Sequence, residues 1–147
     1  MPITIKEQAL AGFDAQLRVM TGVNFFGRNF YDTLAEAELP AIIMFDGADE
    51  VLESPAGVLF ISQGVAVEAR FNATSPEQCG PRASEWYGNI RAALGANPTL
   101  GGLVYKIEFA GADEPAFRAE PGPSYGRMVV GFVVVRQEAE LDPYSTQ

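Results

Sequence analysis

From Met128 to Val135 every residue except Gly131 is apolar, on both faces of an extended chain. This run predicts a strand covered above and below, at the centre of a sheet. Polarity then reverses into Gln137, Glu138, Glu140 and Asp142, and at Asp142-Pro143-Tyr144 the proline ends any ladder. The expectation is a buried strand followed by a short acidic tail over 137–147. Near the other end, Leu10, Phe13, Leu17 and Met20 recur at steps of three, four and three, which gathers them on one face of a helix over 5–20. Thr4, with Glu7 three residues later, has the capping-box pattern at its start.

Between these ends the pattern alternates between helix and strand periods. Residues 21–39 set Phe25, Phe26, Phe30 and Tyr31 among Gly22, Asn24, Gly27 and Asn29. Aromatic residues in such a loop either tuck under the helix or are buried by a partner chain. Pro40 opens a strand whose apolar residues Ile42 to Phe45 stop at Asp46-Gly47, a turn signal, with an acidic loop to Pro55 beyond. From Gly57, Val65, Val67, Ala69 and Phe71 alternate with Ala66, Glu68 and Arg70, and Gly64 marks a bulge. A second helix is predicted over 75–94, with Pro76 in its first turn, apolar Ala83, Trp86, Tyr87, Ile90 and Leu94, and a stop at Gly95. After Asn97-Pro98-Thr99-Leu100-Gly101-Gly102 a strand alternates, with Leu103, Tyr105, Ile107 and Phe109 inward and Lys106 and Glu108 outward. A proline-rich loop over 111–123 leads to the last strand, and loops of that length in compact domains are usually functional or mobile. The order predicts one α+β domain over 1–147, its sheet largely antiparallel and both helices on one face.

Composition narrows the chemistry. A chain of 147 residues can bury a single core, and 48% hydrophobic residues with a mean hydropathy of +0.05 are ordinary for a globular domain. No apolar run approaches the ~18 residues a membrane span needs, and the N-terminus lacks the basic-then-apolar pattern of a signal peptide. A soluble, unprocessed chain is expected. The single Cys79 excludes an intrachain disulfide framework. The absence of histidine removes the commonest general base and all imidazole metal sites. Ten basic residues stand against nineteen acidic ones, a net charge of −9, with no basic stripe that would grip phosphates. Asp49/Glu50 and Asp113/Glu114 are adjacent loop carboxylates that rarely converge for acid–base work, and Ser62, Ser84 and Tyr125 have no histidine to activate them. Gly101-Gly102 lacks the Lys-Ser/Thr of a phosphate loop. No cofactor or metal is expected.

The order of these elements resembles the tail terminator proteins of long-tailed bacteriophages, the tail completion or lambda U-type minor tail proteins. Four features carry it: the N-terminal amphipathic helix, the central helix ending before Asn97-Pro98-Thr99-Leu100-Gly101-Gly102, the alternating strand Leu103 to Phe109, and the final strand running into Leu141-Asp142-Pro143-Tyr144. The resemblance implies a structural virion protein, not an enzyme. Such a protein is made in the bacterial host cytoplasm and sits at the head–tail junction of the virion. It forms a homohexameric ring that ends polymerisation of the tail tube protein, meets the head–tail connector, and lets DNA pass without tight binding.

A ring repeats one heterologous interface and needs apolar anchors, for which Phe25, Phe26, Phe30, Tyr31 and Phe117 are the candidates, with Asp142, Pro143 and Tyr144 as a recognition tail. Carboxylates in or beside loops, namely Glu50, Glu53, Asp113, Glu114, Glu120, Glu138 and Glu140, would line the lumen or a docking surface and repel phosphates; for each the alternative is plain solvated charge. The competing functional reading is a small α+β enzyme or ligand-binding domain with an apolar pocket lined by Tyr105, Trp86 and Phe132.

Overall fold

The protein is seen in a computed structural model that describes residues 2–53, 57–119, 124–139 and 141–144, with the backbone alone at Glu53. Two long strands organise it: β3 (Val58–Asn72) and β6 (Tyr125–Ala139) pair antiparallel along their whole length. Around them lie β1 (Phe25–Arg28), β2 (Ala41–Glu53), β4 (Lys106–Ala112) and β5 (Ala116–Arg118), in the order β1-β2-β3-β6-β4, with β5 also on β6. The fold is α+β, with a mixed, mostly antiparallel sheet. Among the described residues the one parallel pair is β1 with β2.

Directly opposed residues share a face of a sheet, so Val65/Phe132, Val67/Val130 and Ala69/Met128 form apolar rows on one side. Helices α1 (Ile5–Leu17) and α2 (Cys79–Gly95) cover that side, burying Leu10, Phe13, Leu17, Ala83, Ile90 and Leu94 in the same core. Thr4 Oγ1 accepts a hydrogen bond from the Glu7 amide at 3.1 Å, as its N-cap position predicts. The helix ends at Leu17 and not at Met20, because the chain turns away through Gly22 at φ 76°. On the other side the loop after β1 folds back to make a small second core of Leu34, Leu39, Ala41 and Ile43, flanked by Phe25, Phe30, Phe45 and Tyr125.

Four sequence expectations are corrected. Residues 25–28, read as loop, form β1, because their amide row pairs with the start of β2. Asp46-Gly47 is no turn: β2 continues to Glu53, and the register slips between Asp46 and Asp49, so Gly47 and Ala48 oppose Gly64 alone. That is a bulge on β2. A side chain at Gly47 would sit 2.4 Å from the Gly64 carbonyl oxygen, which explains the glycine there. Leu103 and Tyr105 are exposed, because Leu100, Gly101 and Gly102 take positive φ and rotate the chain before β4 begins at Lys106; Leu100 and Val104 are buried instead. The last strand is longer than its apolar run and reaches Ala139, so Gln137 and Glu138 belong to the sheet.

Gly126 sits where a Cβ would lie 2.1 Å from the buried ring of Phe71. Gly126→Ala is expected to overpack this position and cost about 1–3 kcal/mol. Urea unfolding measures it, and an unchanged midpoint with an unchanged slope would contradict the packing described.

Candidate functional site

The charged residues of the sheet are largely committed to one another. At one end of the helix-covered face, Arg136 is buried; its Nε donates to Glu138, its Nη1 to Gln63 Oε1 at 2.8 Å, and its Nη groups to the Asp49 carboxylate at 3.2 Å. Lys6 of α1 adds a 3.0 Å contact to Asp49. Beside this cluster Arg28 binds Glu7 with both Nη groups, at 2.7 and 3.0 Å, and binds Asp46 through Nη2 at 2.9 Å. These two arginines tie the start of α1 to β1, β2 and β6. On the opposite face Glu68 is buried between Arg70 and Arg127, and Arg70 Nη1 reaches the Asp32 carbonyl at 2.8 Å. That contact holds the loop after β1 down on the sheet.

The arginines perturb their partners. The Arg28 hydrogen bonds hold the Glu7 carboxyl below its usual range, outweighing a smaller effect of burial. For Asp46 burial is the largest single influence and pushes upward, but the hydrogen bonds of Arg28 and Asn29 together win and the net shift is downward. Asp49 follows the same logic, with burial overcome by Arg136 and Lys6. Carboxylates that titrate lower in the folded chain than in the unfolded chain contribute stability above their ordinary values of 3.8 and 4.5, and that contribution is lost as pH falls below them.

The predicted interface residues separate into two groups. Phe25 and Phe30 pack on each other, with centroids 4.9 Å apart, and on the second core. Phe26 and Phe117 pack against the main core. These four are half-buried within their own chain. Tyr31 is 79% exposed and packs at a tilt against Phe45, its centroid 5.1 Å away. The terminal segment folds back: the Pro143 carbonyl accepts the Ile5 amide at 2.8 Å, satisfying one of the unpaired N–H groups at the start of α1. Asp142 bridges to Ala139 and accepts the Tyr144 amide at 3.0 Å, while Tyr144 is exposed.

Of the acidic residues, Glu50, Asp113 and Glu114 are exposed, the first on β2 and the others in the turn between β4 and β5. Glu138 is corrected: it is a buried strand residue neutralised by Arg136, not a loop carboxylate. Glu53 ends β2, and Glu120 and Glu140 lie outside the described residues. Sequence reasoning missed both buried ion pairs, although each had a signal. Glu68/Arg70 and Arg136/Glu138 are two residues apart, the spacing that puts opposite charges on one face of a strand.

The three residues expected to line a pocket do not share one. Phe132 lines a cleft of about 200 Å³ with Arg91, Leu94, Pro98, Ile107 and Phe109. Trp86 lines another with Pro40 and Phe71, and Tyr105 is 64% exposed against Phe60. A shallow cleft of about 450 Å³ lies on the open sheet face between Tyr31, Phe45, Ala66, Glu68, Arg70, Arg127 and Val129. Among the described residues no cluster of Cys, Asp and Glu would hold a metal ion, and no helix is long and apolar enough to cross a membrane.

What the geometry offers is surface. Val51 and Leu52 on β2 are 58% and 54% exposed, and β4 forms a sheet edge beyond which no further strand pairs among the described residues. The chain matches no protein-family model and no curated protein.

Removing one member of a buried ion pair leaves an uncompensated charge, so Arg136→Ala is expected to lose about 3–5 kcal/mol of stability. Chemical denaturation measures it, and a loss below about 1 kcal/mol would show the cluster to be solvated. Arg28→Gln is expected to flatten the acid limb of the stability–pH curve between about pH 5 and 2. An acid limb as steep as wild type would contradict the pairing of Arg28 with Glu7 and Asp46.

Proposed function

We propose that this chain is a structural virion protein whose copies close into a homohexameric ring at the head-proximal end of a phage tail tube. There it ends tube polymerisation and offers a surface to the head–tail connector. The observation that carries this reading is the division of the side chains. Arg28, Arg70 and Arg136 are spent on internal carboxylates. The exposed apolar and aromatic residues Tyr31, Val51, Leu52 and Tyr105 stand at the sheet margins and on its open face. Such residues on a small subunit suit repeated self-contact. The order of helices and strands, ending in Leu141-Asp142-Pro143-Tyr144, supports the same reading through its resemblance to tail terminators.

The acidity fits a conduit. With a net charge of −9 and exposed Glu50, Asp113 and Glu114, the ring would repel a passing duplex instead of holding it. Tail tube protein polymerised in the presence of this chain is expected to give tubes of bounded length with a ring at one end, seen by negative-stain electron microscopy. Tubes that grow as long with the chain as without it would contradict the proposal. Asp113→Lys with Glu114→Lys is expected to leave folding intact and slow DNA delivery from assembled particles; full infectivity would remove these two residues from the conduit.

A further inference from the structure

Resting on the ring reading, we infer that the β2 edge around Leu52 of one copy docks into the Arg91 cleft beside β4 of the next, so that the two opposite edges of the sheet form the subunit interface. The cleft lies between the end of α2 and the edge strand. Its walls are Leu94, Pro98, Ile107, Phe109 and Phe132, and Arg91 closes one side. The Arg91 guanidinium carbon is 4.5 Å from the Phe109 ring centroid and 5.3 Å from that of Tyr87, and Nη1 donates to the Tyr87 hydroxyl at 2.9 Å. No ion pair among the described residues uses Arg91, so a stacked, oriented cation has donors left over. At about 200 Å³ the cleft is smaller than the ~300–1,000 Å³ of small-molecule sites, and it suits an aliphatic side chain better than a ligand.

The complementary surface is on the far edge. β2 loses its partner β1 after Met44, the Asp46 amide still donates to Asn29 Oδ1 at 2.9 Å, and beyond Asp46 no further strand pairs with its outer edge among the described residues. That edge carries exposed Val51 and Leu52 directly after Glu50, an exposed carboxylate that enters no ion pair among the described residues. An apolar knob beside a free carboxylate thus matches an apolar cleft beside a free guanidinium. The knob cannot fill its own chain's cleft, because β3 and β6 separate β2 from β4, a span of about 14 Å at ~4.8 Å per strand. A second copy must supply it.

Size-exclusion chromatography with light scattering on the full chain tests the contact through residues that hold no core position. Leu52→Asp and Arg91→Glu are each expected to weaken assembly by roughly tenfold or more, and Arg91→Glu with Glu50→Arg to restore it. In oxidising buffer the double variant Leu52→Cys/Pro98→Cys is expected to give a ladder of disulfide-linked multimers, and each single variant none. Intact rings in both Leu52→Asp and Arg91→Glu would overturn this interface and leave the ring reading standing. A wild-type chain that stays monomeric at every concentration, with or without tail tube protein, would overturn both.

Discussion

The pairing of β3 with β6 over fifteen residues each is the constraint on which everything else depends. Because side chains alternate with period two, this single register decides which residues face the helices and which face outward. Val65, Val67 and Ala69 meet Phe132, Val130 and Met128 under α1 and α2, while Ala66, Glu68 and Arg70 meet Gly131, Val129 and Arg127 on the open side. A slip of one residue would turn one strand over, bringing either Glu68 or Arg127 to the helix-covered face and turning that strand's core row outward. The flanking strands inherit their level from this ladder.

The two ends of the chain are locked to the ladder by charge. Arg136 and Arg28 gather Asp49, Glu138, Glu7 and Asp46 where α1 begins, and the Pro143 carbonyl closes the helix terminus from the other side. Burying a charge is costly unless it is paired and hydrogen-bonded, and the described residues have no buried side-chain polar atom without a partner. The sheet end is consequently polar, with its buried charges paired. Its remaining acidity faces outward on Glu50, beside the apolar pair Val51 and Leu52.

Much of this architecture was legible in the sequence, because Phe13 and Leu17 repeat with helical period and Val65 to Phe71 with strand period. What was not legible depended on partners distant in the chain. Phe25-Phe26-Gly27-Arg28 is too short and too glycine-bearing to declare a strand, and only the edge of β2 makes it one. Asp46-Gly47 has the local chemistry of a turn, and its conversion to a bulge depends on the missing side chain of Gly47, where a Cβ would lie 2.4 Å from the Gly64 carbonyl oxygen of the facing strand. Leu103 and Tyr105 continue the alternation of β4 on paper, but positive φ at Leu100, Gly101 and Gly102 breaks the phase between them and the strand. The acidic end of the chain looked like a solvated tail, and Arg136 draws its first part into the sheet. The cleft at Arg91 was invisible for the same reason, since α2 and β4 supply its walls from separate parts of the chain.

Self-assembly is the claim from which the proposed biology follows, and the mass of the purified chain in solution addresses it most directly. Native mass spectrometry across a concentration series is predicted to show one dominant species at six times the 15.8 kDa chain mass. A single 15.8 kDa species throughout the series, or one carrying a bound small molecule, would contradict it.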